Sequence, residues 1–255
     1  VLLAGGYLIL EREHSGTVVA LDARFRTCVE LAELTEAAVV VKPGLLVEVH
    51  SPQFRDVRRY MYDGASLEPV PVDGKSPSPN RYVEVPLLYC FTSLKETQGG
   101  DFFALAVARA KAAGCEVLPS DNSGSVLGLR ITLAANNGFY SQAGELRARG
   151  WPLCASSLRR LPPMLPPRVD DGGDLPKTGL GSSATLVTSL LGALLHLFGA
   201  IELPSRLTAK GPGSSSSSSL SSAGTLQGQA ALDVLHSLAQ LCHCAAQGKV
   251  GSGFD

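Results

Sequence analysis

The spacing of hydrophobic and polar positions changes along the chain, and the changes mark its elements. In the first fifty residues the apolar positions run continuously or alternate, as strands require. Residues 1–10 are apolar around a Gly5-Gly6 break. Residues 17–31 set Val18, Ala20, Asp22 and Arg24 against Val19, Leu21, Ala23 and Phe25. Residues 39–49 form a third β-branched stretch, with Pro43-Gly44 reading as a hairpin turn. Residues 55–80 are polar and turn-rich, which predicts loop. Residues 82–94 fit either a long strand or a helix kinked at Pro86. Over 101–113 the period becomes helical, with Phe103, Ala106, Val107, Ala110 and Ala113 on one side and Gly114 as a stop. Residues 126–133 alternate again as a strand.

The second half is more strongly helical. A Pro-rich connector over 155–174, with Pro162-Pro163 and Pro166-Pro167, predicts an extended loop. Residues 183–200 are apolar almost throughout, yet at the short end of the ~20 residues a bilayer needs, and Thr185, Thr188, Ser189 and His196 interrupt them. A buried core helix is the expectation, with no membrane span. The tract 210–228, containing Gly-Pro-Gly and a run of serines, reads as a disordered linker. A last helix over 232–247 has Leu235, Leu238, Leu241, Cys242 and Ala245 as its buried side. His236, Gln240, His243 and Gln247 form a polar stripe, which is either a solvated face or a functional one.

Composition narrows the class. With 255 residues, 45% hydrophobic and 18% charged, the chain can bury a core, which excludes wholesale disorder. Its net charge of -1 argues against a nucleic-acid binder or a polybasic membrane binder, without excluding a local anion pocket. The six cysteines are scattered apart from Cys242 and Cys244, so a reduced intracellular compartment is expected rather than a disulfide framework, and Cys242 and Cys244 are expected as buried thiols rather than a zinc site. No signal peptide opens the chain, and its abrupt ends read as those of a piece cut from a longer protein.

The chemistry concentrates in Leu-Pro-Lys-Thr-Gly-Leu-Gly-Ser-Ser-Ala-Thr, residues 175–185, where a loop meets the long apolar helix. Gly179 and Gly181 let the backbone curl so that successive N–H groups converge. A helix beginning near Ser182 adds unsatisfied N–H groups and its positive dipole end. Ser182 and Ser183 offer hydroxyls that can cap the helix, bind phosphate or ligate Mg²⁺. The segment is neither G-x-x-x-x-G-K-[ST] nor G-x-G-x-x-G, because Pro176 and Ala184 stand where those motifs need glycine. An ordinary glycine turn capped by serine remains the alternative.

That stretch resembles the phosphate-loop signature of the GHMP kinases. Three further segments are similar to the eukaryotic phosphomevalonate kinases within that superfamily: VLLAGGYLIL with GTVVALDARF, NNGFYSQAGELRARG, and AQLCHCAAQGKVGSGFD. The likeness covers nearly the whole chain and is weakest over 51–79, 155–174 and the serine tract. It implies an α+β fold of the ribosomal-protein-S5-domain-2 type, a mixed sheet with helices on one side, spanning 1–255 as the N-terminal ATP-binding domain. The family's ferredoxin-like C-terminal domain would then be missing, as would a Pro-Gly-Lys before Val1. The implied reaction is ATP-dependent phosphorylation of mevalonate 5-phosphate, with Mg²⁺ as cofactor. Mevalonate kinase activity and a catalytically silent ATP-binding module are the alternatives.

Residue by residue, the resemblance places ATP on Lys177, Thr178, Gly179, Leu180, Gly181, Ser182, Ser183 and Ala184, with Ser183 also the metal ligand. It places the acceptor on Gly6, Tyr7, Ser252 and Gly253, and catalysis on Asp255 and Lys249. The helix before the catalytic turn lacks the glutamate that mevalonate kinase uses as a second Mg²⁺ ligand, so His243 or Gln247 would have to contribute through water. The cysteine usage makes a cytoplasmic location the expectation, with the peroxisome as the alternative because a signal could stand on the missing ends, and the oligomeric state is left open.

Overall fold

Alternating segments become strands, and the apolar-striped segments become a helical layer on one face of them. The computed structural model describes residues 2–4, 8, 11–35, 44–72, 74, 77–115, 125–168, 176–204 and 225–249. Strands β1 (Leu2–Ala4) and β2 (Thr17–Val18) pair antiparallel as a small separate sheet. The main sheet holds β3 (Phe25–Thr35), β4 (Leu45–Ser51), β5 (Asp56–Tyr62), β6 (Leu67–Val70) and β7 (Ser125–Ala135) in the order β3-β7-β4-β5-β6. Only β4 and β7 run parallel; the other neighbours are antiparallel. The sheet is therefore mixed and the protein α+β.

The helices are α1 (Arg81–Gln98), α2 (Phe102–Ala112), α3 (Ala143–Ala148), α4 (Ala155–Arg159), α5 (Ser182–Leu197) and α6 (Gly228–Gln247). Helices α1, α5 and α6 pack on one another, and α5 lies against β3. Val47, Val49, Tyr60, Leu129 and Ile131 point from the sheet into this layer and meet Leu87, Phe91, Leu190, Leu191 and Leu194. Each such buried side chain contributes roughly 1.5–3 kcal/mol by leaving water. Phe102 locks α2 onto the layer, its ring 5.2 Å from that of Phe198 and 5.9 Å from that of Phe91. On the opposite face the apolar cluster is smaller: Leu34, Leu46, Met61 and Val70.

Several expectations need correction. The polar stretch 55–80 contains β5 and β6, because the arginines that made it look like loop are paired: Arg58 with Asp56, and Arg59 with Glu48. The hairpin observed is that of β4 and β5, joined by a tight turn at Pro52–Phe54 with Arg55 at φ 51°. The turn expected at Pro43-Gly44 lies partly outside the described residues; Gly44 itself is a bend before β4. The strand expected over 17–31 is split, β2 ending at Val18 and β3 running on to Thr35. Residues 82–94 are helical, α1 continuing through Pro86 with that proline buried. Burial of Val83, Leu87, Cys90, Phe91 and Leu94 along one stripe outweighs the single ladder bond that proline cannot donate.

The connector 155–174 opens with α4 rather than loop. On α2 the most buried aromatic is Phe102, with Phe103 only partly covered. Helix α6 begins earlier than expected, and Leu241 is 52% exposed, whereas Ala239, His243 and Ala246 are buried. Residues 210–224 of the expected linker lie outside the described residues; over 225–228 the expectation of a disordered linker is corrected, since Leu226 bridges Ile201, Thr225 Oγ1 donates to Gly199 O at 2.8 Å and α6 begins at Gly228. Helix α5 is buried as expected, and among the described residues no helix is long and apolar enough to cross a membrane.

Candidate functional site

The loop entering α5 is held by main-chain bonds to the segment that leaves β7. Ser141 N–H donates to Pro176 O at 2.7 Å, Thr178 N–H to Phe139 O at 3.1 Å, and Thr178 Oγ1 to Gly138 O at 2.7 Å. Leu180 packs in the Ala135, Phe139 and Tyr140 cluster as an apolar pin. Gly179 and Gly181 sit at φ 77° and 73°, a left-handed backbone that costs an L-residue about 1–2 kcal/mol. Gly181 is the N-cap of α5, and no side chain caps that helix. The N–H groups of its first turn therefore have no carbonyl behind them and converge beside the glycine turn.

Upstream, the same segment is braced by two amides. Buried Gln53 grips Ala135, accepting from its N–H at 2.6 Å and donating to its carbonyl at 2.9 Å. Asn137 donates to Pro162 O and accepts from Leu165 N–H, both at 2.8 Å, which ties the Pro-rich connector down. The loop is thus a preformed feature.

In front of it lies a cleft of about 460 Å³. Lys177, Ser182 and Ser183 line it together with Asp56, Arg58, Asn80 and Tyr82. Arg58 is only 14% exposed, its Nε donating to Asp56 Oδ2 at 2.6 Å and a terminal nitrogen to Ser78 O. Burial opposes its charge, but the Asp56 carboxylate outweighs that and holds the guanidinium above its usual range. Two cations thus face this cleft with one carboxylate, which favours an anionic ligand.

Of the serines expected to cap α5, Ser183 does something else. Its Oγ lies 3.1 Å from Nε2 of His243, which is buried on α6. Tyr82 stands beside that imidazole, with ring centroids 5.9 Å apart. The polar stripe of α6 is therefore divided: His236 faces solvent, and His243 turns inward to the loop.

A second cavity, about 510 Å³, lies on the other side of the loop, between Thr178 and Gly138 on one hand and Leu146, Leu153 and Leu158 on the other. Tyr140 lines both cavities, and burial pushes its phenol up, so it stays a donor at neutral pH. Cys154, exposed at this rim, has Sγ 3.0 Å from Ser156 Oγ and 3.3 Å from Ser157 Oγ. These hydroxyls pull its thiol down to about 7.

Of the residues predicted for ATP, Lys177, Ser182 and Ser183 present side chains to the cleft. Thr178 and Leu180 anchor the loop, Gly179 and Gly181 shape it, and Ala184 is buried beneath it. Lys249 is exposed just past Gly248, the left-handed cap of α6. Gly6, Tyr7, Ser252, Gly253 and Asp255 lie outside the described residues. Sequence reasoning missed Arg58, Asp56, Asn80 and Tyr82, and named His243 as a stripe position and a water-mediated metal contact, not as the partner of Ser183. A strand-period reading of 56–62 would have separated Arg58 from Arg59. Cys242 is buried and its thiol is pushed up to about 12 by that burial; no cluster of three or more His, Cys, Asp or Glu residues forms among the described residues.

Three curated proteins are similar to the chain over its whole length. Identity is 32% to "Phosphomevalonate kinase, peroxisomal" of Arabidopsis thaliana, 33% to "Phosphomevalonate kinase erg8" of Aspergillus fumigatus, and 31% to "Phosphomevalonate kinase ERG8" of Gibberella zeae. Each alignment covers 100% of this chain and 46% of the relative, so the chain spans about half the length of the curated proteins it matches. No family model and no solved structure matches it.

Proposed function

We propose that the chain is the ATP-binding part of a GHMP-type kinase that phosphorylates mevalonate 5-phosphate to the diphosphate. The observation that carries this reading is the loop 176–184: a preformed glycine turn at the N-terminus of α5, opening on a cleft with Lys177 and Arg58. The similarity to phosphomevalonate kinases along the whole chain supports the choice of acceptor.

In this reading the first-turn N–H groups of α5 receive the β- and γ-phosphates of ATP. The second cavity, beside Thr178, takes the nucleoside. Arg58 takes a phosphate or carboxylate oxygen of the acceptor, and Lys177 neutralises charge at the transfer point. The attacking group is a phosphate oxygen, largely ionised at neutral pH because its second pKa is about 6. Little proton removal is needed, so catalysis consists of alignment and charge neutralisation. Asp255 and Lys249 are proposed to act on the acceptor from the turn after α6.

The donor set fits Mg²⁺ in its usual kinase form, held mostly by nucleotide oxygens with one or two protein ligands. Ser183 Oγ and the Asp56 carboxylate both face the cleft and would hold it. Its contribution would be to neutralise developing charge on the phosphates.

Calorimetry with MgATP, mevalonate 5-phosphate and mevalonate, alongside an assay for the diphosphate product, tests the reading. Both phosphorylated ligands should bind, and mevalonate at least about tenfold more weakly, a difference of roughly 1.4 kcal/mol. Equal binding of mevalonate would move the acceptor to an alcohol. Absence of ATP binding would overturn the kinase assignment.

A further inference from the structure

We propose that His243 is a positioning residue, holding the Ser183 hydroxyl so that its lone pairs face the cleft and a nucleotide-bound divalent cation. This rests on the phosphate-loop reading above and adds a residue from a different helix to it. Ser183 is the second residue of α5, at the cleft wall, and a serine hydroxyl left alone rotates among staggered positions. Here the rotor has a partner. Nε2 of His243 lies 3.1 Å from Oγ, and the imidazole is 6% exposed in the seam where α1, α5 and α6 meet. The Tyr82 ring, itself part of the cleft wall, packs beside it with an interplanar angle of 34°.

A hydroxyl carries one donor and two acceptor lone pairs. In the tautomer that carries its proton on Nδ1, Nε2 of His243 accepts the Ser183 O–H, and what the hydroxyl then turns to the cleft is lone-pair density, the property a hard cation needs. The same serine with a free rotor would as readily present its O–H to a phosphate oxygen. Residues behind a metal ligand set its orientation in this way, and losing one typically weakens metal binding about 10–100-fold. Among the described residues no group of three or more His, Cys, Asp or Glu residues forms that could hold a metal, so the orientation of this one hydroxyl matters more.

The test separates orientation from packing by measuring binding with and without the metal. A fluorescent ATP analogue is titrated into the full chain in Mg²⁺ and again in EDTA, for wild type, His243→Ala, Ser183→Ala, the double variant and His243→Gln. His243→Ala should lose about tenfold of the Mg²⁺-dependent gain in affinity and little of the metal-free binding. Ser183→Ala should lose as much, and the double variant no more than either single one. His243→Gln, whose amide reaches the place of Nε2, should recover most of the gain. Equal losses with and without Mg²⁺, or additive losses in the double variant, would reduce His243 to a packing residue and overturn the proposal alone. A wild-type chain that binds no nucleotide in either condition would overturn the phosphate-loop reading as well.

Discussion

Arg58 and Arg59 are neighbours in the chain and opposites in the molecule. Strand β5 sends them to different faces of the sheet, because successive strand side chains alternate. Arg59 points away from the helices, where its cross-strand partner Glu48 is 5% exposed. There the carboxylate also meets His50 Nε2 at 2.6 Å and Arg130 Nε at 3.4 Å, so its lone pairs are saturated. Arg58 points to the loop side, donates to one carboxylate and one backbone carbonyl, and lines a cleft that holds a second cation, Lys177. A carboxylate whose lone pairs are all taken by neighbours stabilises the fold; a guanidinium that lines an open cleft presents charge to a ligand. The same residue type, one position apart, takes part in each.

If that contrast is right, substitutions on the two faces should separate binding from stability. The largest effect is expected at the loop. Gly181→Val places a β-branched residue at φ 73° where the backbone must meet phosphate, so ATP affinity should fall at least about 100-fold, or 2.7 kcal/mol. The melting temperature should change far less, and tight binding of labelled ATP by this variant would remove the loop from the site.

Next come the arginines themselves. Arg58→Ala should weaken mevalonate 5-phosphate binding by about 10–100-fold, the loss of one charge-assisted contact, with a modest change in melting temperature. Arg59→Ala should do the reverse, destabilising by about 1–3 kcal/mol because buried Glu48 loses a partner. Ligand affinities should stay unchanged, and a matched pair of effects in the two variants would erase the distinction.

Acid separates the faces more gently. Burial pushes the Glu48 carboxyl up, but its bonds to His50 and Arg59 outweigh that and hold it below its ordinary 4.5. Its stabilisation is therefore fully present above the unfolded value and is lost as pH falls below about 4.5 through the folded value. Glu48→Gln should be less stable than wild type at pH 7, with the gap narrowing on acidification below about pH 4.5. A gap constant from pH 7 to pH 3 would mean that charge is not what Glu48 contributes.

The smallest expected effect is at the rim of the second cavity. Alkylation of Cys154 should reach half its maximal rate near pH 7, rise as pH increases through that value, and slow when ATP fills the neighbouring space. Ser156→Ala and Ser157→Ala should each move the profile to higher pH. Labelling indifferent to ATP would argue against the nucleoside lying there.

How legible all this was depended on whether the determinant was local. The glycine turn needs positive φ at residues 179 and 181, and the apolar helix must follow it directly, so both are written in consecutive letters. The strands β5 and β6 were hidden because the charges of β5 looked like solvent contacts; in the fold Arg58 pairs with Asp56 of its own strand and Arg59 with Glu48 of β4, and β6 then adds to β5. Helix α1 was ambiguous because Pro86 argued against it locally, and only burial of its stripe against α5 and α6 decides in its favour. The inward half of the α6 stripe was left open for a similar reason: helical periodicity fixes which residues share a face, not what that face meets.

The sequence by itself determined the alternation that makes β7, the apolar run that makes α5 and the turn between them. Each of these follows from the conformational preferences of adjacent residues. Tertiary structure alone decided that Arg58 faces a cleft while Arg59 closes a network, and that His243 reaches Ser183 across 60 positions. Those contacts join elements whose separation in sequence carries no local signal. They exist because burying the α1, α5 and α6 stripes on one sheet face brings the elements together.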